Sequence, residues 1–334
     1  MRGVVLDEPG KIRIAQVPDP TPGPGQIVVA VRACGVCGTD LHIAAGEFPP
    51  TPYPIIPGHE FAGEVAALGS GVSGLEEGDR VAVDPSLFCG KCRQCRRQRG
   101  NLCENWGAIG DTVDGAFAEY VAVPAANAYQ IPDHLSFGEA ALVEPISCAV
   151  HGLRRLAMPP GSTLLIIGAG TMGLLLAQLA RRTGAASVTV VDTDPGRLTV
   201  AGRLGADATA GSVADALEDE PAGFDYVIDA TGVPAAAQAG LGAVSRGGTF
   251  MVFGVAPADA RIAVSPYSVY NDEITIIGSM AVLSTFEPAM RLLAARAVDG
   301  GAMITDRFGL EDFEQALDRV RARGGLKVQV QPDK

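Results

Sequence analysis

The chain has 334 residues, a length that points to about two domains. With 47% hydrophobic and 19% charged residues it can bury a large core, which excludes a disordered chain. A net charge of −12 argues against nucleic acid or an anionic membrane as partner and favours a small-molecule ligand.

The first ten residues carry no apolar leader, so the expected compartment is the cytoplasm. Clustered cysteines there are more often metal ligands than disulfides, and four of the seven fall between Cys89 and Cys103. The first ~145 residues read as β-rich. β-Branched runs at 27–33, 61–67, 80–83 and 116–123 are punctuated by Gly and Pro clusters, with no long helical period. After His151 the pattern changes to alternating strands and helices. Strands are expected at 163–167, 187–191, 225–228, 249–253 and 274–277, with helices at 172–183, 195–204 and after Gly232. Such alternation implies a parallel sheet covered on both faces. The longest apolar stretch, 164–180, is broken by Gly168, Gly170, Gly173 and Gln178, so it reads as strand, turn and helix and not as a membrane span. A helix at 286–298 and a strand at 327–330 close the chain.

Three groups of residues carry chemistry. Gly168-Ala169-Gly170-Thr171-Met172-Gly173 is a G-x-G-x-x-G turn between an apolar strand and a helix, and Asp192 ends the following strand. That context fits a dinucleotide pyrophosphate on the helix N-terminus. Asp192 would accept from the adenosine ribose and repel a 2′-phosphate, which favours NAD over NADP, and Arg197 would flank the adenosine. Cys89, Cys92, Cys95 and Cys103 are spaced to close on one tetrahedral ion, a structural zinc, with an iron–sulfur cluster as the alternative. Lys91, Arg93, Arg96, Arg97 and Arg99 would offset the surplus thiolate charge. Finally, Cys37, His59, Glu60 and Glu144 are good zinc ligands on separated segments, although each taken singly has an ordinary structural reading.

Read together, these motifs resemble the zinc-containing medium-chain alcohol dehydrogenases, and within them the polyol (sorbitol, arabinitol) and threonine dehydrogenase branch. The resemblance rests on residues 37–42 (CGTDLH), 58–60 (GHE), the four-cysteine lobe, 114–120 (DGAFAEY), Glu144-Pro145, the glycine fingerprint and Gly278-Ser279, which occur in the family's order. It implies an α/β protein with a GroES-like β-barrel catalytic domain (residues 1–148 and 285–334) and a Rossmann domain with a doubly wound parallel sheet (149–284). Cys37 and His59 are then ligands of a catalytic zinc, joined by Glu60 or Glu144. Thr39 and His42 form a proton relay, and Asp40 holds His59. Phe253, Val255 and Ser279 meet the nicotinamide side. The implied activity is zinc- and NAD-dependent oxidation of a secondary alcohol of a polyol to a ketone, in a dimer or tetramer. Ile43 and residues 280–282 depart from mammalian-type sorbitol dehydrogenases, which argues against sorbitol itself. Threonine or an aminocyclitol is the alternative substrate. A non-catalytic NAD(H)-sensing protein is the alternative of another class. Cys34 and Cys148 are read as packing residues.

Overall fold

The computed structural model describes residues 1–48 and 51–333. The chain divides into two compact units, one of Met1–Ser147 with Val282–Lys334 and the other of Cys148–Ala281.

The first unit is built on a seven-stranded sheet. Its order is Ile304–Phe308, Lys327–Val330, Gln26–Val36, Glu60–Leu68, Arg80–Val83 and Ala128–Gln130, and Tyr120–Pro124 also pairs with Gln26–Val36. Gln26–Val36 is the organising strand. Its β-branched residues suit a packed, pleated surface, and it is long enough to hold three neighbours. Val29, Val31, Phe61, Val65, Phe117 and Phe313 lie in the core beneath it. The rings of Phe117 and Phe313 stand 4.7 Å apart. Each such fully buried side chain contributes about 1.5–3 kcal/mol relative to exposure.

The register of this sheet positions the chemistry. Gly35 pairs with Glu60, and Val36 pairs with Val328. The end of the organising strand therefore brings residues 36–37, 60 and 327–328 side by side. The chain then enters the helix Gly38–Ala45, which sequence periodicity did not reveal because eight residues are too few. A reciprocal cap starts this helix: Cys37 Sγ accepts from the backbone near it and the Asp40 carboxylate accepts from Cys37 N–H. Gly46, at φ 76°, ends it.

Three expectations need correction. The run 116–123 is not one strand. The regular strand is Tyr120–Pro124, and Ala116 and Phe117 instead donate to the carbonyls of Gly58 and Pro57 at 2.9 Å. Their partner is an irregular loop, so no ladder can form. The helix expected at 286–298 stops at Ala294, where the N–H groups of Arg296 and Ala297 turn back to Leu293 and Leu292. Lastly, a hairpin of Arg2–Glu8 and Lys11–Gln16 precedes the first expected strand.

The second unit is a six-stranded parallel sheet in the order Ala208–Ala210, Ala185–Val191, Ser162–Ile167, Phe224–Asp229, Val244–Val252 and Thr275–Gly278. Ser162–Ile167 and Ala185–Val191 are predominantly apolar and mostly buried, as strands covered on both faces must be. The sheet pairs Val191 with Ile167, Ile167 with Asp229, Asp229 with Val252, and Val252 with Gly278. This row marks the carboxyl edge, where open α/β sheets bind ligands.

Candidate metal centres and dinucleotide edge

The four-cysteine lobe assembles from local turns. All seven cysteines of the chain are free thiols, so no disulfide competes for these four. The sulfurs of Cys89, Cys92, Cys95 and Cys103 lie within 4.8 Å of one another. Cys103 Sγ is 3.5 Å from Cys89 Sγ and 3.9 Å from Cys92 Sγ. A tetrahedral zinc with bonds of about 2.3 Å requires sulfur–sulfur edges of about 3.8 Å. Backbone N–H groups of Cys92, Cys95 and Asn105 donate to Cys89, Cys92 and Cys103 sulfurs at 3.3–3.4 Å. The amides of Lys91 and Cys92 pull the Cys89 thiol down to about 6, whereas burial and hydrogen-bond sharing with Cys92 and Cys103 push Cys95 up to about 12. Thiols so closely set favour deprotonation around a cation, and the residues fit the group. The charge relief comes first from backbone amides, since Lys91, Arg93, Arg96, Arg97 and Arg99 are all exposed.

A second set of donors meets at the end of the organising strand. Ligand atoms of Cys37, His59 and Glu60 lie within 4.8 Å of one another. Cys37 is half-buried at the start of the helix, while His59 and Glu60 are buried, at 6% and 2% exposure. Two residues that the sequence did not single out complete the arrangement. Lys327 Nζ donates to both Glu60 carboxylate oxygens, at 2.8 and 2.6 Å, from a side chain 4% exposed. Burial alone would lower the Lys327 pKa, but Glu60, Cys37 and Glu144 together outweigh it and hold the ammonium charged. Asp111 Oδ1 stands 3.2 Å from His59 Nδ1, with Asp40 Oδ1 at 3.7 Å. Burial would also lower the His59 pKa, yet Asp111 and then Asp40 raise it well above the usual histidine range. Burial pushes Asp40 itself up to about 7.

Glu144 lies in the first turn of the helix Val143–Leu156 and is also buried. It acts electrostatically on Lys327 but stands outside the group formed by Cys37, His59 and Glu60. Asp40, Glu60, Asp111 and Glu144 thus bury four carboxyl groups beside one ammonium and one imidazole. His59 Nδ1, Asp40 Oδ1 and Asp111 Oδ1 have no well-aligned hydrogen bond. Buried charge of one sign is costly unless compensated, and a divalent cation on a Cys/His/carboxylate set supplies the compensation. Thr39 and His42 sit on the same helix, three residues apart, and share a face. His42 Nδ1 lies 2.8 Å from Glu47 Oε2. Cys34 is fully buried, and burial raises its thiol well above the usual range, so it remains an inert packing residue.

In the second unit the expected cofactor residues follow the carboxyl-edge row. Gly168, Asp192, Phe253 and Ser279 are each the first residue after a strand of that row. The fingerprint is closely packed: a Cβ on Gly173 would stand 1.7 Å from the Gly168 carbonyl oxygen. By contrast, a Cβ on Gly170 would meet only the Arg197 guanidinium, at 3.6 Å, which leaves the backbone there open to approach. The helix Thr171–Ala180 starts with no side-chain cap on its N–H groups, the arrangement that receives a phosphate. Met172 lies in its first turn, half-buried. Asp192 accepts from the N–H of Ala169 at 2.7 Å and of Asp194 at 2.9 Å, which fixes the acid beside the glycine turn. Val255 is 75% exposed, and the buried Ser279 hydroxyl has no aligned partner.

Comparison with known proteins agrees with both halves. Residues 23–133 match the alcohol dehydrogenase GroES-like domain, and residues 171–295 match the zinc-binding dehydrogenase domain. The chain is 38% identical to D-arabinitol dehydrogenase 1 of Uromyces fabae, over 100% of this chain and 97% of that protein. It is 35% identical to sorbitol dehydrogenase of Bacillus subtilis (strain 168), over 100% and 98%. A crystal structure assigned to a zinc-binding dehydrogenase of Sinorhizobium meliloti 1021, bound to NADP, superposes with a TM-score of 0.95 at 36% identity, covering 99% of each chain. A GroES-like unit followed by a Rossmann unit, two cysteine-bearing donor sets and relatives matched over their whole length lead to one conclusion: the chain belongs to the zinc-dependent alcohol dehydrogenases, a family of oxidoreductases that use zinc and a nicotinamide dinucleotide.

Proposed function

We propose that this dehydrogenase oxidises a secondary alcohol of a polyol to the ketone with NAD as acceptor. The convergence of the half-buried Cys37 with the buried His59 and Glu60 carries the reading. When bound there, zinc lowers the pKa of the substrate hydroxyl, and the nicotinamide accepts the hydride released from carbon. The protein's residues do the rest. Cys37, His59 and Glu60 hold the ion, and Glu144 adds a carboxylate to the same buried charge network. Thr39 takes the hydroxyl proton and His42 passes it toward solvent, its ring held at Nδ1 by Glu47. The reaction consumes alcohol and NAD and yields ketone, NADH and one proton. Polyol dehydrogenases among the relatives support this substrate class. The test is a panel of pentitols, hexitols, threonine and cyclitols, followed by nicotinamide reduction. Turnover of threonine and of no polyol overturns the substrate class, and turnover of none moves the reading to an NAD(H) sensor.

What supports NAD as the acceptor is Asp192, a carboxylate held beside the glycine turn, which would accept from the adenosine ribose and repel a 2′-phosphate. The S. meliloti neighbour carries NADP, so the choice of NAD for this chain rests on Asp192 and not on that neighbour. Asp192→Ala is expected to raise KM for NAD about tenfold while lowering that for NADP, as about 1–1.5 kcal/mol of ribose hydrogen bonding is lost. An unchanged NAD/NADP ratio in steady-state kinetics removes Asp192 from that role.

The oligomer forms through the sheet edge Thr275–Gly278, where Ile276 is 40% exposed and the nearby Tyr267 and Tyr270 are 71% and 83% exposed. An unpaired strand edge beside exposed aromatics is a ready surface for a second copy. Light scattering that finds only monomer refutes this.

A further inference from the structure

We infer that Asp111 is the residue that orients His59 for metal binding. This inference rests on the open-site reading given above. The role that the family resemblance implied for Asp40 thus passes to Asp111, a positioning residue.

Distance separates the two carboxylates. Asp111 Oδ1 is 3.2 Å from His59 Nδ1, at the edge of hydrogen-bond range, whereas Asp40 Oδ1 is 3.7 Å away and outside it. Asp40 is also committed elsewhere. Its other oxygen accepts from Cys37 N–H at 2.8 Å and closes the cap of the helix Gly38–Ala45. Asp111 has no comparable local task. It is 5% exposed, and Oδ1, the atom nearest His59, is an orphaned buried acceptor. A carboxylate is not buried without cost, so its use must lie with the group it faces.

The backbone holds Asp111 there. Gly110, just before it, has φ 88°, and a Cβ at that position would stand 2.3 Å from the carbonyl oxygen of Gly58, the residue just before His59. Two glycines in direct contact thus bring the loops of Asp111 and His59 closer than any side chain would permit. Hydrogen bonds lock the approach: Gly110 N–H donates to Val113, Gly115 N–H to Ile56 and Ala116 N–H to Gly58, at 2.7–2.9 Å. Asp111 is not one of the clustered metal-donor residues, and it faces the Nδ1 side of the ring. An imidazole with Nδ1 turned toward Asp111 keeps Nε2 for the metal. A carboxylate accepting at Nδ1 fixes that tautomer and makes the ligand nitrogen more basic.

The experiment follows metal retention and not turnover alone. Wild type, Asp111→Asn and Asp111→Ala proteins are loaded with zinc and exposed to a chelator, and released zinc is counted against time. In parallel, cobalt is placed in the open site and its visible spectrum recorded. Wild type is expected to hold about two ions per chain, one slow and one faster to leave. The faster ion should leave about 10–100-fold sooner from Asp111→Ala and by an intermediate factor from Asp111→Asn, whose amide oxygen still accepts. The four-cysteine ion should leave at the wild-type rate in all three, and the cobalt bands should shift only in the variants. Equal retention of the open-site ion in all three proteins overturns the inference. So does equal acceleration of both ions, which would mark Asp111 as a general structural residue. Should wild type hold only the four-cysteine ion, the open-site reading fails first and this inference with it.

Discussion

Cys37→Ala is expected to lower kcat/KM by at least about a thousandfold, equivalent to the several kcal/mol that a metal contributes to the transition state. Cys37 is the only thiol in the open donor set, so its loss leaves His59 and Glu60 to hold the ion alone. The same residue also caps the helix Gly38–Ala45, its sulfur accepting from Thr39 N–H at 3.4 Å. Loss of a cap costs about 0.5–2 kcal/mol of stability, so a drop in activity from alanine alone has two explanations. Cys37→Ser separates them, since a hydroxyl caps at least as well as a thiol but is a poor zinc ligand. Both variants should lose the open-site ion and turnover while keeping the four-cysteine ion and NAD binding. Near-normal turnover in either variant sinks the assignment of this cluster as the catalytic centre.

Lys327→Met is expected to destabilise the protein by about 3–5 kcal/mol, the range seen when one partner of a buried ion pair is removed. Glu60 would then be a buried carboxylate facing Glu144 and the acidic pair at His59 with no ammonium among them. The loss comes from the stranded charge and not from the worth of the pair. For that reason Lys327→Met combined with Glu60→Gln should recover most of it, a non-additivity that a double-mutant cycle reads directly. Saturating zinc should narrow the gap for the single variant, because a cation at the open site replaces the missing charge. Denaturant midpoints of the four proteins, with and without added zinc, check this. Equal midpoints for Lys327→Met and the parent refute it.

The two halves of the fold and the four-cysteine lobe were legible in the sequence because their signals are local, whereas the donors of the open site lie on separated segments and stood out only through the resemblance to the family. Four cysteines within fifteen residues can close on one ion whatever surrounds them. A glycine turn between an apolar strand and a helix, followed by an acid at the end of the next strand, already specifies the dinucleotide edge. Apolar strand runs gave the parallel sheet for the same reason, since burial on both faces is written residue by residue. The eight-residue helix after Cys37 carried no period to read, and the strand expected at 116–123 was shortened because its first residues bond a loop that no local pattern reveals.

What the sequence by itself determined was the set of donor types and the local turns that present them. Tertiary structure alone decided how those donors are held. Lys327 reaches Glu60 across 267 positions because the last strand pairs antiparallel with the strand leading into Cys37. Asp111 reaches His59 across 52 positions because Gly110 lets its loop touch the backbone of Gly58. A lone lysine in a strand and a lone aspartate in a turn have no signature of their own. Their meaning is electrostatic, and it arises only when folding removes water and sets one charge against another.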